Sequence, residues 1–185
     1  MNSNDITLAV LRAIEQLGLP YMLVGSYSSN MYGVPRATQD ADFVVQMGDT
    51  PISEVCRLLG EDFRLDPQMS FESVTGTMRY ILSHRFSSFK VELFLLSNDL
   101  HDQQRFARRR QAAFLGKAVS VPTAEDVIIT KLRWSKGGAR RKDVDDVENV
   151  LAVQGDALDL AYIRQWCDRH STREMFEKLL SASKS

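Results

Sequence analysis

Apolar residues open the chain at helical spacing. Ile6, Val10, Leu11, Ile14 and Leu17 recur every three to four positions, with Asn4 or Ser3 placed to cap the helix and Gly18 and Pro20 to end it. The period then shortens. Residues 21–24 are an apolar run ending in Gly25-Ser26, which predicts a buried strand that turns into a short helix capped by Ser26 and finished near Gly33-Val34-Pro35. Over 40–47 a strand would set Ala41, Phe43, Val45 and Met47 on one face and Asp40 and Asp42 together on the other. A helix over 52–59 follows, with Pro51 near its first turn. Residues 63–72 predict a loop with a short strand. Residues 78–83 and 89–96 predict two strands paired through the connection 84–88. In the second of these Glu92 interrupts an otherwise apolar run, opposite the face of Phe89, Val91, Leu93 and Leu95. Residues 112–115 and 118–121, split by Gly116-Lys117, read as a hairpin.

After Pro122 the periodicity becomes helical throughout. Thr123 is a cap with Asp126 three residues on, and Val127, Ile128, Leu132 and Trp134 follow with Lys131 among them. A helix over 140–153 carries Val144, Val147, Val150 and Leu151 at core spacing, and Gly155 closes it. Two further amphipathic helices, 158–167 and 172–180, centre on Ile163, Trp166, Phe176 and Leu179, and the tail 181–185 is expected to fray. The order predicts an α/β (α+β) architecture: a mixed sheet flanked by helices over 1–121, then a small helical part over 122–185.

A chain of 185 residues, 44% hydrophobic and 25% charged, can bury a real core. A net charge of −1 supplies no global attraction to nucleic acid or membranes, so a basic site would have to be local. Cys56 and Cys167 both lie inside apolar-periodic segments, as expected of buried thiols in a reducing compartment. No basic region followed by an apolar one opens the sequence, and no apolar run approaches a membrane span. The expectation is a cytoplasmic, soluble protein.

Two carboxylates side by side at a strand start repel unless a cation lies between them, so Asp40 and Asp42 read either as metal ligands or as an exposed acidic turn. Glu92 reads either as a third ligand or as an edge-strand surface acid matched with Lys90 or an arginine. The turn from strand to helix at Gly25-Ser26 leaves backbone amides free for a phosphate, although such turns also serve sterics alone. Jointly the features suit one chemistry. Two divalent cations on three carboxylates orient a nucleoside triphosphate, with Gly25-Ser26 at its β- and γ-phosphates.

That joint pattern resembles the nucleotidyltransferase superfamily with the DNA polymerase β-type fold, whose motif is Gly-Ser or Gly-Gly, then Asp-x-Asp, then a third acid on a later strand. Arg36-Ala-Thr38-Gln-Asp40-Ala-Asp42 is similar to the Arg-x-Thr-x-Asp-x-Asp form of minimal bacterial members, adding Arg36 and Thr38 to the nucleotide-binding candidates. Glu125 to Lys131, then Arg141-Lys142-Asp143-Val144-Asp145-Asp146, is similar to the AbiEii-type toxin branch. The resemblance spans roughly residues 21–151. It implies transfer of a nucleoside monophosphate from an NTP, with Mg²⁺ (or Mn²⁺), to tRNA, a protein or a small molecule, and it implies an antitoxin partner if the toxin branch applies. It also brings in Lys131 and Asp143 as nucleotide contacts, with Asp146 as an alternative to Asp143; taken alone these would be a solvated helix residue and a helix N-terminal turn. The chain departs from the pattern in carrying Glu92 where Asp is commoner, and Tyr27-Ser28-Ser29 after Ser26. A non-catalytic nucleotide- or partner-binding module with the same fold is the competing reading. His84, His101 and His170 have no metal-ligand spacing. Arg105, Arg108, Arg109 and Arg110, with Arg133, Lys136, Arg140, Arg141 and Lys142, form two basic clusters that either grip tRNA or triphosphate or are solvated faces.

Overall fold

The computed structural model describes residues 1–183. Helix α1 (Ser3–Gln16) starts one residue earlier than its apolar spacing suggests. Asn2 is the cap: its side chain accepts the Asp5 amide at 2.9 Å while the Asp5 carboxylate accepts the Asn2 amide. After β1 (Tyr21–Val24) comes α2 (Gly25–Tyr32), whose N-cap is Val24, so no side chain caps it and Ser26 is already inside its first turn. Strand β2 (Asp40–Val45) ends two residues short of Met47, because the next amide, that of Gln46, bonds to Pro20 outside the ladder. Helix α3 (Ile52–Leu59) is preceded by Pro51 as N-cap.

Residues 63–72 hold two short strands rather than one, β3 (Phe63–Leu65) and β4 (Ser70–Glu72). The reason is the length of β5 (Thr77–His84), whose eight residues pair with β4 near one end and β3 at the other. Strand β6 (Lys90–Leu95) pairs antiparallel with β5 and parallel with β2. Among the described residues six strands form one mixed sheet in the order β1-β2-β6-β5-β3, with β4 also on β5. Strand β6 is therefore central, and Glu92 is not an edge-strand acid.

The stretch 100–107 forms α4 (Leu100–Ala107), capped by Asp99, and then the hairpin β7 (Arg110–Phe114) and β8 (Lys117–Val121) follows. The tight turn of that hairpin is Leu115-Gly116, both at positive φ, rather than Gly116-Lys117. The remaining helices are α5 (Ala124–Trp134), α6 (Arg141–Gln154), α7 (Leu160–Arg169) and α8 (Arg173–Ala182). Thr123 caps α5 as its sequence predicts, accepting the Asp126 amide. Helix α8 runs through Ala182, and residues 184 and 185 of the expected frayed tail lie outside the described residues.

Period two in the strands sorts the side chains. Tyr21, Leu23, Ala41, Phe43, Val45, Val91 and Leu93 enter the main core beneath α1, α3 and the β8 residues Val119 and Val121. The opposite sheet face carries a smaller cluster, Met22, Val24, Val44 and Phe94, covered by Phe106 of α4 with Trp134 of α5 against it. The acids share that second face. A third cluster joins α5 to α8 around Ile128, Val147, Ile163 and Phe176. Helix α2 ties it to the sheet: Tyr32 packs on both larger clusters and its hydroxyl donates to the Pro122 carbonyl at 2.8 Å.

Candidate active site

A cavity of about 190 Å³ opens between the second sheet face and helices α4 to α6. Gly25, Ser26, Asp40, Asp42, Glu92, Lys131 and Asp143 all line it. Asp42 and Glu92 are direct register partners on the parallel pair β2 and β6, so their side chains project together, and Asp40 follows two residues before on the same face. Residues separated by fifty positions thus converge through one strand pairing.

The crowding has an electrostatic signature. Burial and the neighbouring charges of Asp40 and Glu92 raise the Asp42 carboxyl from 3.8 to about 7. Among the described residues no donor hydrogen-bonds Asp42. Asp40 is better held, since the Thr38 hydroxyl donates to its Oδ1 at 2.8 Å. Glu92 accepts Arg79 Nη1 at 2.6 Å, from the neighbouring strand β5. The matching arginine is thus present, but in the middle of the sheet.

Gly25 has φ +63°, and a Cβ there would lie 1.9 Å from Asp42 Oδ2. The strand-to-helix turn therefore comes against the acid as closely as backbone can, and only glycine allows it. With no capping side chain on α2, its first amides have no side-chain partner. Ser26 is buried, and its Oγ accepts Arg36 Nη2 at 2.9 Å.

Arg36 begins an ionic chain into the C-terminal helices. Its Nε and Nη2 make a bidentate pair with Asp146 at 2.6 and 2.8 Å. Lys131 Nζ lies 2.8 Å from Asp146 Oδ2 and donates to Asp143 Oδ1 at 3.0 Å, and Arg140 Nε is 3.1 Å from Asp143 Oδ2. Burial alone would raise the Asp146 carboxyl, but the bonds to Arg36 and Lys131 hold it below the usual carboxylate range. Lys131 and Asp143 are buried rather than solvated, and their charges are spent on each other.

The structure brings every sequence candidate to this cleft: Gly25, Ser26, Asp40, Asp42, Glu92, Lys131 and Asp143 on its wall, Arg36 and Thr38 directly behind it. Arg79 and Trp134 were not singled out as site residues by the sequence; Asp146 entered as an alternative to Asp143, and Arg140 as one member of a basic cluster. The basic clusters are largely consumed internally. Arg105 pairs with Asp102, Arg108 stacks on Tyr162, Arg109 on Phe106, and Arg133 pairs with Asp99. Two of the histidines meet: His101 is buried on Asp126, and the half-buried His170 lies against it.

A divalent cation fits the donor set. An acid without a donor, pressed between two others, is relieved by positive charge, and Mg²⁺ commonly takes one or two carboxylates plus substrate phosphates. Among the described residues no three His, Cys, Asp or Glu side chains by themselves form a cage for an ion. Asp40 and Asp42 together with substrate oxygens would complete one.

No family model and no curated protein matches this sequence. Solved structures do. ANT(2'')-Ia in complex with adenylyl-2''-tobramycin superposes with a TM-score of 0.65 at 13% identity, covering 92% of this chain and 98% of that one. A nucleotidyltransferase-like protein from Paracoccidioides brasiliensis gives 0.52 at 16% identity, over 95% and 91%. The lincosamide antibiotic adenylyltransferase LnuA, lincomycin-bound, gives 0.51 at 10% identity, over 81% and 98%. The chain has the nucleotidyltransferase fold. Among the described residues no helix is long and apolar enough to cross a membrane.

Proposed function

We propose that the protein is a metal-dependent nucleotidyltransferase that moves a nucleoside monophosphate from an NTP to an acceptor hydroxyl. The observation that carries the reading is the register of β2 with β6, which sets Asp42 beside Glu92 while Gly25 closes against Asp42. The uncapped α2 amides receive the triphosphate tail, with Ser26 held ready by Arg36. Lys131 and Arg36 lie behind the same turn and exchange part of their carboxylate contacts for phosphate oxygens. Asp40 and Asp42 would hold two divalent cations with the substrate, and Glu92 completes the set from the acceptor side. Bound there, such cations would supply charge neutralisation for the triphosphate and polarisation of the α-phosphorus. Glu92 receives the acceptor proton, and Thr38 keeps Asp40 turned into the cleft.

The fold neighbours support the general reaction, since one is in complex with adenylyl-2''-tobramycin and another is an adenylyltransferase. The test is binding and its dependence on the acids. Thermal denaturation with Mg²⁺ and each NTP should show stabilisation that needs both and disappears in Asp40→Ala. Stabilisation by NTP that is unchanged in Asp40→Ala would favour a binding module without metal chemistry. The toxin reading adds its own outcome, growth arrest on expression that Asp40→Ala relieves.

A further inference from the structure

Acceptor chemistry can be drawn from the order of strands, resting on the nucleotidyl transfer proposed above. Across the sheet the sequence β1-β2-β6-β5 sets the phosphate turn, the paired aspartates, Glu92 and Arg79 in that order. Displacement at phosphorus runs in line, so the attacking oxygen comes from the side opposite the departing pyrophosphate. With pyrophosphate leaving at Gly25-Ser26, the acceptor approaches over β6 and β5.

The wall on that side alternates cations and rings. Arg79 lies over Phe94 at 5.8 Å, Phe94 meets Trp134 edge-on at 6.0 Å, and Arg140 lies over Trp134 at 5.4 Å. All four line the cavity. Of its remaining carboxylates, Asp102 is bonded to Arg105 and to both Ser97 donors, and Asp143 accepts Lys131 at Oδ1, while its Oδ2, 3.1 Å from Arg140 Nε, accepts no hydrogen bond among the described residues. Arg79 Nε, on the β5 side, is buried with no hydrogen-bond partner among the described residues. Beyond Glu92 the wall offers two arginines and flat apolar surface.

We propose that the acceptor is an anionic hydroxyl compound whose phosphate or carboxylate docks on Arg79 and Arg140 while its apolar part lies on Phe94 and Trp134. As Arg79 turns from Glu92 to the acceptor's anion, Glu92 is freed to take the hydroxyl proton. The acceptor oxygen forms its bond to the α-phosphorus, the bridge to the β-phosphate breaks, and pyrophosphate leaves with that electron pair. A polyamine acceptor would meet two arginines.

The test works with an unidentified acceptor. A cell extract is separated on anion- and cation-exchange resins, and each fraction is incubated with the wild-type protein, Mg²⁺ and the four α-labelled NTPs. Label should pass to material retained by the anion exchanger; loss after phosphatase treatment identifies a phosphate, and survival a carboxylate. Arg140→Gln, at the exposed start of α6, should raise the KM for that material at least about tenfold and leave Mg²⁺–NTP affinity unchanged. Arg79→Lys should retain more transfer than Arg79→Gln. Acceptor activity in the cation-exchanger or unretained fractions overturns the proposal. So does a loss of NTP affinity in Arg140→Gln, which would give the wall to the donor, or no transfer to any fraction while NTP still binds. Absence of Mg²⁺–NTP binding in the wild type would instead remove the underlying reaction.

Discussion

Replacing Asp42 by Asn should make the metal-free protein more stable and the nucleotide-loaded protein less so. Crowding by burial, Asp40 and Glu92 raises the Asp42 carboxyl from 3.8 to about 7. The folded state therefore keeps a proton that the unfolded chain has released, and stability falls as pH rises from about 4 to about 7. At 1.36 kcal/mol per pH unit the penalty reaches about 2 kcal/mol at pH 5 and about 4 kcal/mol at pH 8. Asparagine cannot ionise, is nearly isosteric, and can donate its amide toward Asp40 or Glu92. Urea denaturation in EDTA should show Asp42→Asn gaining stability over the wild type, with a gain that grows through this window and levels off above it. With Mg²⁺ and NTP the order should reverse, because a ligand stabilises only the form that binds it. A variant that is destabilised at pH 8 without metal, or whose gain does not change with pH, would refute the crowding argument.

Three other substitutions probe the surroundings. Gly25→Ala places a methyl 1.9 Å from Asp42 Oδ2 on a backbone at φ +63°, and should cost at least about 1–2 kcal/mol in denaturation and abolish the Mg²⁺–NTP thermal shift. Asp146→Asn takes the carboxylate from the half-buried Arg36 and leaves Lys131 with Asp143 alone; a loss of about 1–3 kcal/mol is expected, with NTP binding weakened more than binding of the corresponding monophosphate by calorimetry, since Ser26 loses its brace. Burial and the charge of Arg133 push His170 down to about 4, so below pH 6.5 the unfolded chain takes a proton the fold refuses and stability declines. His170→Gln, measured by thermal denaturation in the Asp42→Asn background where the opposing titration is absent, should flatten that decline.

What the sequence made legible is what short-range pattern encodes. The alternation from Asp40 to Val45 gave both the strand and the shared face of the two acids, and the interrupted run around Glu92 marked the third. Helix α1 and the cap at Thr123 followed from spacing in the same way. Register and sheet order are not local. Whether Glu92 sits at an edge or in the centre depends on β2 crossing to β6, and nothing within either strand states that choice. The Arg36–Asp146 pair joins residues 110 positions apart, and Arg79 reaches Glu92 only through the register of β5 on β6. One weak signal was available: Asp143 and Asp146 stand one helical turn apart beside Val144 and Val147, so two acids flank a core stripe and ask for cations. Lys131, three residues before Trp134 on the preceding helix, answers that request.

The cation–aromatic wall was the least legible feature because its four members come from β5, β6, the end of α5 and the residue before α6. Each has an ordinary local explanation. Their meaning comes from facing the same cavity beyond Glu92.

The measurement that bears most directly on the account compares α- and γ-labelled NTP with Mg²⁺, wild type against Asp40→Ala and Asp42→Asn. Nucleotidyl transfer predicts label on the acceptor from the α position alone, released pyrophosphate in equal amount, and neither product from the variants. Label arriving from the γ position, or transfer that survives both substitutions, would contradict it.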